Sequence, residues 1–308
     1  MVPFVDTMGK NYYGIPRTIP GMRYFHVSTD SGQRLIVDHD DTTYDLTAIT
    51  DSLTSFTDLA RTADVVGKSI DELTDQLLTD AESVEASLDE PLAPIEAAEV
   101  WAAGVTYQIS EEAREAESGM PEMYLNVYES ERPEVFFKAT PNRTVGPNEA
   151  VGIRADSDWD VPEPELGVVL YNGKTVGYTI GNDMSSRSIE GENPLYLPQA
   201  KVYDRCCSIG PCIVSPETIG DPHDLTLSMT IERDGETVYT GETSTSEMDR
   251  TCEELVSYYT RNNSVPAASV LLTGTSLVPP EEFTLQEGDL VTIDIESIGT
   301  LSNPVVTV

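Results

Sequence analysis

The chain has 308 residues, 39% hydrophobic and 23% charged, enough apolar material for a packed core in one large domain or two smaller ones. Asp and Glu number 54 against 18 Lys and Arg, a formal net charge of −36, which argues against nucleic acid and anionic membranes as partners. No apolar run reaches the length of a membrane span, and Met1-Val-Pro-Phe-Val-Asp6 lacks the basic and apolar regions of a signal peptide, so a cytoplasmic location is expected.

The acids are spread in ones and twos, as at Asp40-Asp41 and Glu111-Glu112, rather than gathered in a tail. Lysine is scarce: Lys10, Lys68, Lys138, Lys174 and Lys201 complete the set. Such a surface repels itself until salt screens it, and at 1 M salt the Debye length is about 3 Å. The composition resembles that of a salt-in halophile of the archaeal kind. Cys206, Cys207, Cys212 and Cys252 match no zinc spacing and no disulfide framework, and read as small buried residues in a reducing compartment.

Residues 24–27 and 34–37 read as strands flanking the turn Ser28-Thr-Asp-Ser-Gly32. Two helices should follow. The second opens on the capping box Ser69-Ile-Asp-Glu72, with Ile70, Leu73, Leu77 and Leu78 on one face. Asp89-Glu-Pro-Leu-Ala-Pro94 suits a linker, which divides the chain into a small N-terminal domain, 1–94, and a larger domain, 95–308. Beyond it the pattern turns to β, with strands expected at 100–105, 135–138, 163–170, 175–180, 225–232, 271–274 and 290–295. Helical pieces are expected at 110–117 and 247–262. Tyr171-Asn-Gly173 is a hairpin signal. With no βαβ alternation, the expected class is α+β with a mixed sheet.

Within 163–170, Glu163 and Glu165 stand two apart and project from one strand face, their Cα atoms about 6.6 Å apart. Two like charges so placed repel unless a cation lies between them; a solvated acidic strand face is the plain alternative. Pro162 and Pro164 remove backbone donors, which predicts an edge or an opening there. Downstream, Asn182-Asp183 closes a β-like run, and Arg187 can take a carboxylate bidentately, either a substrate's or Asp183. Lys201 lies in Leu197-Pro-Gln-Ala-Lys201, ahead of a Gly210-Pro211 turn. A desolvated lysine near a metal can serve as acid or base. Asp156-Ser-Asp158-Trp-Asp160 imitates the start of an EF-hand loop but lacks its glycine and its bidentate Glu, and reads as a solvated loop.

These stretches together resemble the fumarylacetoacetate hydrolase superfamily over roughly residues 96 to 308. The resemblance rests on Glu163-Pro-Glu165-Leu166, Asn182-Asp183-Met-Ser185-Ser-Arg187, Lys201 through Gly210-Pro211, Thr273-Gly274-Thr275, and the strand Phe136-Phe137-Lys138. It implies a mixed β-roll catalytic domain of fumarylacetoacetase type behind a smaller N-terminal α/β domain. Glu163, Glu165 and Asp183 would then hold Mg²⁺, with Mn²⁺ as the alternative, and the ion would chelate a small 2-oxo acid. A homodimer or homotetramer is also implied.

The family's hydrolases carry Asn-Tyr-x-x-His-x-x-Glu after the first catalytic strand, to activate water. Here Gly104-Val-Thr-Tyr107-Gln-Ile-Ser110-Glu-Glu-Ala113 puts Ser and Ala at those two positions. The same stretch, with Glu131-Arg-Pro-Glu134, Ile189-Glu-Gly-Glu-Asn-Pro-Leu-Tyr196 and Thr273-Gly-Thr-Ser-Leu-Val-Pro-Pro280, resembles a branch of 2-keto-3-deoxypentonate dehydratases. That implies a hydro-lyase acting in oxidative pentose degradation, forming 2-oxoglutarate semialdehyde. Lys201 with Glu134 would move protons. Arg187 and Thr275 would position substrate, with Tyr107, Lys138, Ser186, Glu192 and Asn193 as further contacts; Lys138 reads equally as a salt-bridged structural residue, and Glu134 as one more surface acid. The alternatives are a C–C hydrolase, decarboxylase or isomerase of acylpyruvate-like acids, and a non-catalytic oxo-acid-binding protein.

Overall fold

The computed structural model describes residues 21–107 and 126–308. In chain order the strands are β1 (Met22–Thr29), β2 (Gly32–His39), β3 (Thr42–Asp45), β4 (Glu99–Gly104), β5 (Glu134–Ala139), β6 (Thr144–Val145), β7 (Val151–Ile153), β8 (Asp160–Val161) and β9 (Pro164–Tyr171). They continue with β10 (Lys174–Asp183), β11 (Ser185–Ser186), β12 (Cys207–Val214), β13 (Thr226–Arg233), β14 (Glu236–Ser244), β15 (Ala268–Leu272), β16 (Leu290–Ile295) and β17 (Gly299–Thr307). The longer helical pieces are α1 (Phe56–Val66), α2 (Ile70–Leu78), α3 (Arg187–Glu192), α4 (Leu197–Lys201) and α5 (Cys252–Thr260).

The local signals act as their chemistry predicts. Residues 28–32 turn β1 back onto β2, and Asn172 and Gly173, both at positive φ, turn β9 into β10. Ser69 and Glu72 form both halves of the capping box at α2. On α1, Phe56, Leu59, Ala60 and Ala63 form the buried side, and the Phe56 ring meets Tyr24 of β1 edge-on. Of the helical piece expected at 247–262, Cys252–Thr260 forms α5, and Glu247 is the last residue of a short 3₁₀ turn, Thr245–Glu247. The helix expected at 110–117, with Ser110 and Ala113, lies outside the described residues.

The larger sheet runs β3-β2-β1-β12-β10-β9-β15-β4-β5, with β6 beside β12; a second runs β14-β13-β16-β17-β7. Most pairs are antiparallel, but β15–β4, β12–β6 and β17–β7 are parallel, so this is an α+β fold with mixed sheets. The passage 89–94 joins two segments that share one sheet, because β1 pairs with β12. Pro91 also bridges to Val27, and the Leu92 amide donates to the His26 carbonyl.

One expectation is corrected, and a second, an edge or an opening at Glu163–Glu165, is narrowed to an opening. Gly210-Pro211 is not a turn between elements: it lies inside β12, with a cis peptide bond, and every residue of that strand is buried. A strand covered on both faces shows no alternation, and its cysteines and glycine hide it further. The Glu163–Glu165 segment is not on an edge strand either, since β9 lies between β10 and β15. The opening arises differently. The β9–β15 ladder ends at Gly167 and Leu272, so the chain before it emerges beyond the end of β15.

The sheet therefore delivers its chemistry to one end. There β9 begins, while β10, β15 and the parallel β4 finish, and β5 starts opposite the last residue of β4.

The net charge has a direct thermal consequence. Raising KCl from 0.1 M to 2 M should raise the melting midpoint by roughly 10 °C, because screening removes self-repulsion among surface acids. Differential scanning calorimetry reads this, and a flat or falling midpoint would contradict it.

Candidate active site

Three carboxylates meet at that end of the sheet. Glu163 precedes β9 and Glu165 lies within it, while Asp183 closes the neighbouring β10. Gly181 pairs with Glu165, and the Asp183 amide donates to the Glu163 carbonyl at 2.9 Å, which brings the three acids together across two strands. They are 2%, 1% and 1% exposed, and one oxygen from each lies within 4.8 Å of the others.

Buried charges of one sign cannot persist uncompensated, since taking each from water costs several kcal/mol. Three cations supply the balance. Arg187 Nη2 lies 2.8 Å from Glu163 Oε1, and Lys201 Nζ lies 2.5 Å from Glu163 Oε2 and 3.2 Å from Asp183 Oδ2. Lys138 Nζ lies 2.5 Å from Asp183 Oδ1. Lys201 also donates to Ser185 Oγ at 2.6 Å, and Glu165 Oε2 accepts the Gly274 amide at 2.6 Å. Burial, then the charges of Asp183 and Glu163, push the Glu165 carboxyl well above the usual carboxylate range. Oxygen-only donors, anionic and converging, fit a hard divalent cation such as Mg²⁺ or Mn²⁺ rather than a thiophilic metal.

A cleft runs over the acids. It is lined by the three carboxylates, Arg187, Lys201 and Thr275 on its polar side, and by Phe136, Val105 and Val278 on its apolar side.

A family model described as fumarylacetoacetate (FAA) hydrolase C-terminal matches residues 99–306. The chain belongs to the fumarylacetoacetate hydrolase family. It is 62% identical, over 93% of its length and 100% of the relative's, to a probable 2-keto-3-deoxyxylonate dehydratase of Haloferax volcanii. To the 2-dehydro-3-deoxy-D-arabinonate dehydratase of Saccharolobus solfataricus it is 46% identical, over 69% of this chain and 73% of that one. A solved 2-keto-3-deoxy-D-arabinonate dehydratase complexed with magnesium and 2,5-dioxopentanoate superposes with a TM-score of 0.79. It is 35% identical and covers 93% of this chain and 99% of its own.

Of the residues picked from the sequence, the fold brings Glu163, Glu165, Asp183, Arg187, Lys201 and Thr275 to the cleft. Glu134, the first residue of β5, pairs with Gly104. Its carboxylate fills the space that a Cβ on Gly104 would occupy; Gly104 lines the cleft and Glu134 itself does not. Tyr107 is buried close enough to Glu165 that burial and that charge together raise its phenol pKa. Ser186 is turned away: it bonds Ser157 Oγ at 2.8 Å and caps α3, while its neighbour Ser185 faces Lys201. Successive strand residues point to opposite faces, and one position decides between them. Glu192 is exposed, and Asn193 caps the Leu195 amide at 2.9 Å; neither lines the cleft. Asp156 pairs with Arg154 on the surface and Asp158 is exposed, as expected of a solvated loop, but Asp160 is buried at the start of β8 and departs from that expectation.

Lys138 does not line the cleft but stands fully buried behind it. Its ammonium donates to the carbonyls of Met184 and Lys201 at 2.7 and 2.6 Å, as well as pairing with Asp183. Burial, the largest single influence, favours the neutral amine, but the Asp183 carboxylate together with Cys206 and Cys207 holds the pKa above its usual value. Lys138→Met leaves a carboxylate with one cation fewer and two buried carbonyls without this donor. It should destabilise the protein by about 3–5 kcal/mol. Urea unfolding in 2 M KCl measures that, and a loss below about 1 kcal/mol would show the ammonium to be dispensable.

Proposed function

We propose that this enzyme is a metal-dependent hydro-lyase that converts a 2-keto-3-deoxypentonate, xylonate or arabinonate, to 2-oxoglutarate semialdehyde and water. The observation that carries the reading is the buried Glu163–Glu165–Asp183 cluster with Lys201 bonded to two of its members. The names of the two relatives support the substrate class, and the neighbouring structure's 2,5-dioxopentanoate is the same compound as the proposed product.

Glu163, Glu165 and Asp183 hold Mg²⁺, with Mn²⁺ able to replace it. The ion supplies Lewis-acid chemistry at the 2-oxo oxygen, where negative charge grows as C3 loses a proton. Arg187 and Thr275 bind and orient the substrate's carboxylate end. Lys201 Nζ exchanges the C3 proton, and Glu134 assists departure of the C4 hydroxyl as water. Protons then pass from C5 and its hydroxyl to C3 and C4, which makes the aldehyde with no outside oxidant or reductant. Such chemistry requires no activated water, in keeping with Ser110 and Ala113 at the family's His and Glu positions.

The proposal includes a cytoplasmic location and a homodimer or homotetramer. All four cysteines are free thiols in the interior, in keeping with a reducing compartment. Among the described residues no helix is long and apolar enough to cross a membrane. The purified protein in 2 M KCl with Mg²⁺ should release aldehyde from 2-keto-3-deoxyxylonate. Cleavage of an acylpyruvate without any aldehyde from the pentonate would instead support a C–C hydrolase.

A further inference from the structure

The cleft wall contains a conformation that side chains rarely adopt. Val105 follows the end of β4 at a φ of 54°, in the left-handed region, although its branched Cβ makes that costly. The turn is held from outside: the Thr106 carbonyl accepts the Asp249 amide at 2.8 Å, and Tyr107 bridges to Met248. Its effect is to aim the fully buried Thr106 side chain at the end of β15.

There Thr106 Oγ1 donates to the Thr273 carbonyl at 2.7 Å. That carbonyl and the Gly274 amide belong to one peptide unit, and the amide donates to Glu165 Oε2 at 2.6 Å. The two hydrogen bonds therefore lie on opposite edges of one rigid plane. A donor on the carbonyl edge fixes the plane's rotation and polarises the N–H that meets the carboxylate. Gly274 has a φ of 91°, and a Cβ there would stand 2.1 Å from Thr106 Oγ1, so only glycine admits this approach. On its other side Thr273 is fixed too, since its amide and its hydroxyl both donate to the Leu166 carbonyl at 3.0 Å.

We propose that Thr106 is a positioning residue for the metal carboxylate Glu165, acting through the single peptide unit between Thr273 and Gly274. This rests on the reading of Glu165 as a metal ligand, and it adds a residue from the turn that stands where the family's hydrolases begin their water-activating motif. Such outer partners of ligands typically set metal affinity by 10- to 100-fold.

The test is Mn²⁺ binding, followed by electron paramagnetic resonance in 2 M KCl, on the full-length protein and its variants. Thr106→Val keeps the shape and removes the hydroxyl, and should weaken Mn²⁺ binding about tenfold. Thr106→Ser restores the donor and should bind within about twofold of the parent. Thr106→Ala serves in place of the valine variant if the latter does not fold. Equal Mn²⁺ affinity for the parent and a folded Val or Ala variant overturns the proposal, as does a serine variant as weak as these. Glu165→Gln is measured alongside: if it binds Mn²⁺ normally, the ligand assignment fails rather than the role of Thr106.

Discussion

Replacing Lys201 with methionine lowers the dehydration kcat by about 10³-fold while divalent-metal affinity stays the same or rises. The two halves of that expectation come from the same two distances. Lys201 Nζ reaches Glu163 Oε2 and Asp183 Oδ2, two of the acids that would ligate the metal, so its ammonium competes with the ion for their charge. Removing it takes away a competitor and an acid–base group together. The remaining side-chain cations around the acids, Arg187 and Lys138, keep the cluster from becoming an uncompensated buried charge. Steady-state kinetics and an Mn²⁺ titration on the same preparation separate the effects. Activity within tenfold of the parent would remove Lys201 from the chemistry, and a parallel loss of metal would make its role structural.

Glu165→Gln should have the converse signature. The substitution keeps the volume and removes one anionic ligand, so divalent affinity falls more than about 100-fold and turnover at millimolar Mg²⁺ is lost. The metal-free protein should not lose stability, because Glu165 is held in an unfavourable place. Burial and the nearby Asp183 and Glu163 raise its pKa, and a raised carboxyl costs stability progressively as pH climbs through the folded value. A glutamine there carries no such penalty at neutral pH. Calorimetry without metal and an Mn²⁺ titration decide the matter: a variant that melts far below the parent, or binds as tightly, contradicts the assignment.

The sequence made some of this legible and hid the rest for physical reasons. Signals that act within a few residues could be read directly: the Asn172-Gly173 hairpin, the Ser69–Glu72 capping box and the apolar face of α2 all follow from local chemistry. The acid pair Glu163 and Glu165 was visible as a spacing, but its meaning came only with Asp183 and Lys201, which the fold adds from β10 and α4. β12 stayed hidden because burial on both faces removes the period-2 pattern, and Gly210-Pro211 imitates a turn.

The choice between Ser185 and Ser186 turned on strand phase, which a two-residue ladder is too short to reveal. For Lys138 residue type left two readings, a substrate contact or a salt-bridged structural residue, and its bonds to Asp183 and two carbonyls bear out the second. The Gly274 amide and Thr106 could not be found from residue type at all. One is a backbone group, and the other acts through a peptide plane just past the end of β15, 167 positions away. Gly274 itself carried the one available hint, a glycine between two threonines at a strand end.

Metal removal and return, with aldehyde as the readout, tests the central claim most directly. Protein stripped with a chelator in 2 M KCl and given 2-keto-3-deoxyxylonate should form no 2,5-dioxopentanoate, and millimolar Mg²⁺ should restore it in full. Aldehyde formation that persists in the stripped protein, or that fails to return with either Mg²⁺ or Mn²⁺, would contradict a metal-dependent dehydratase.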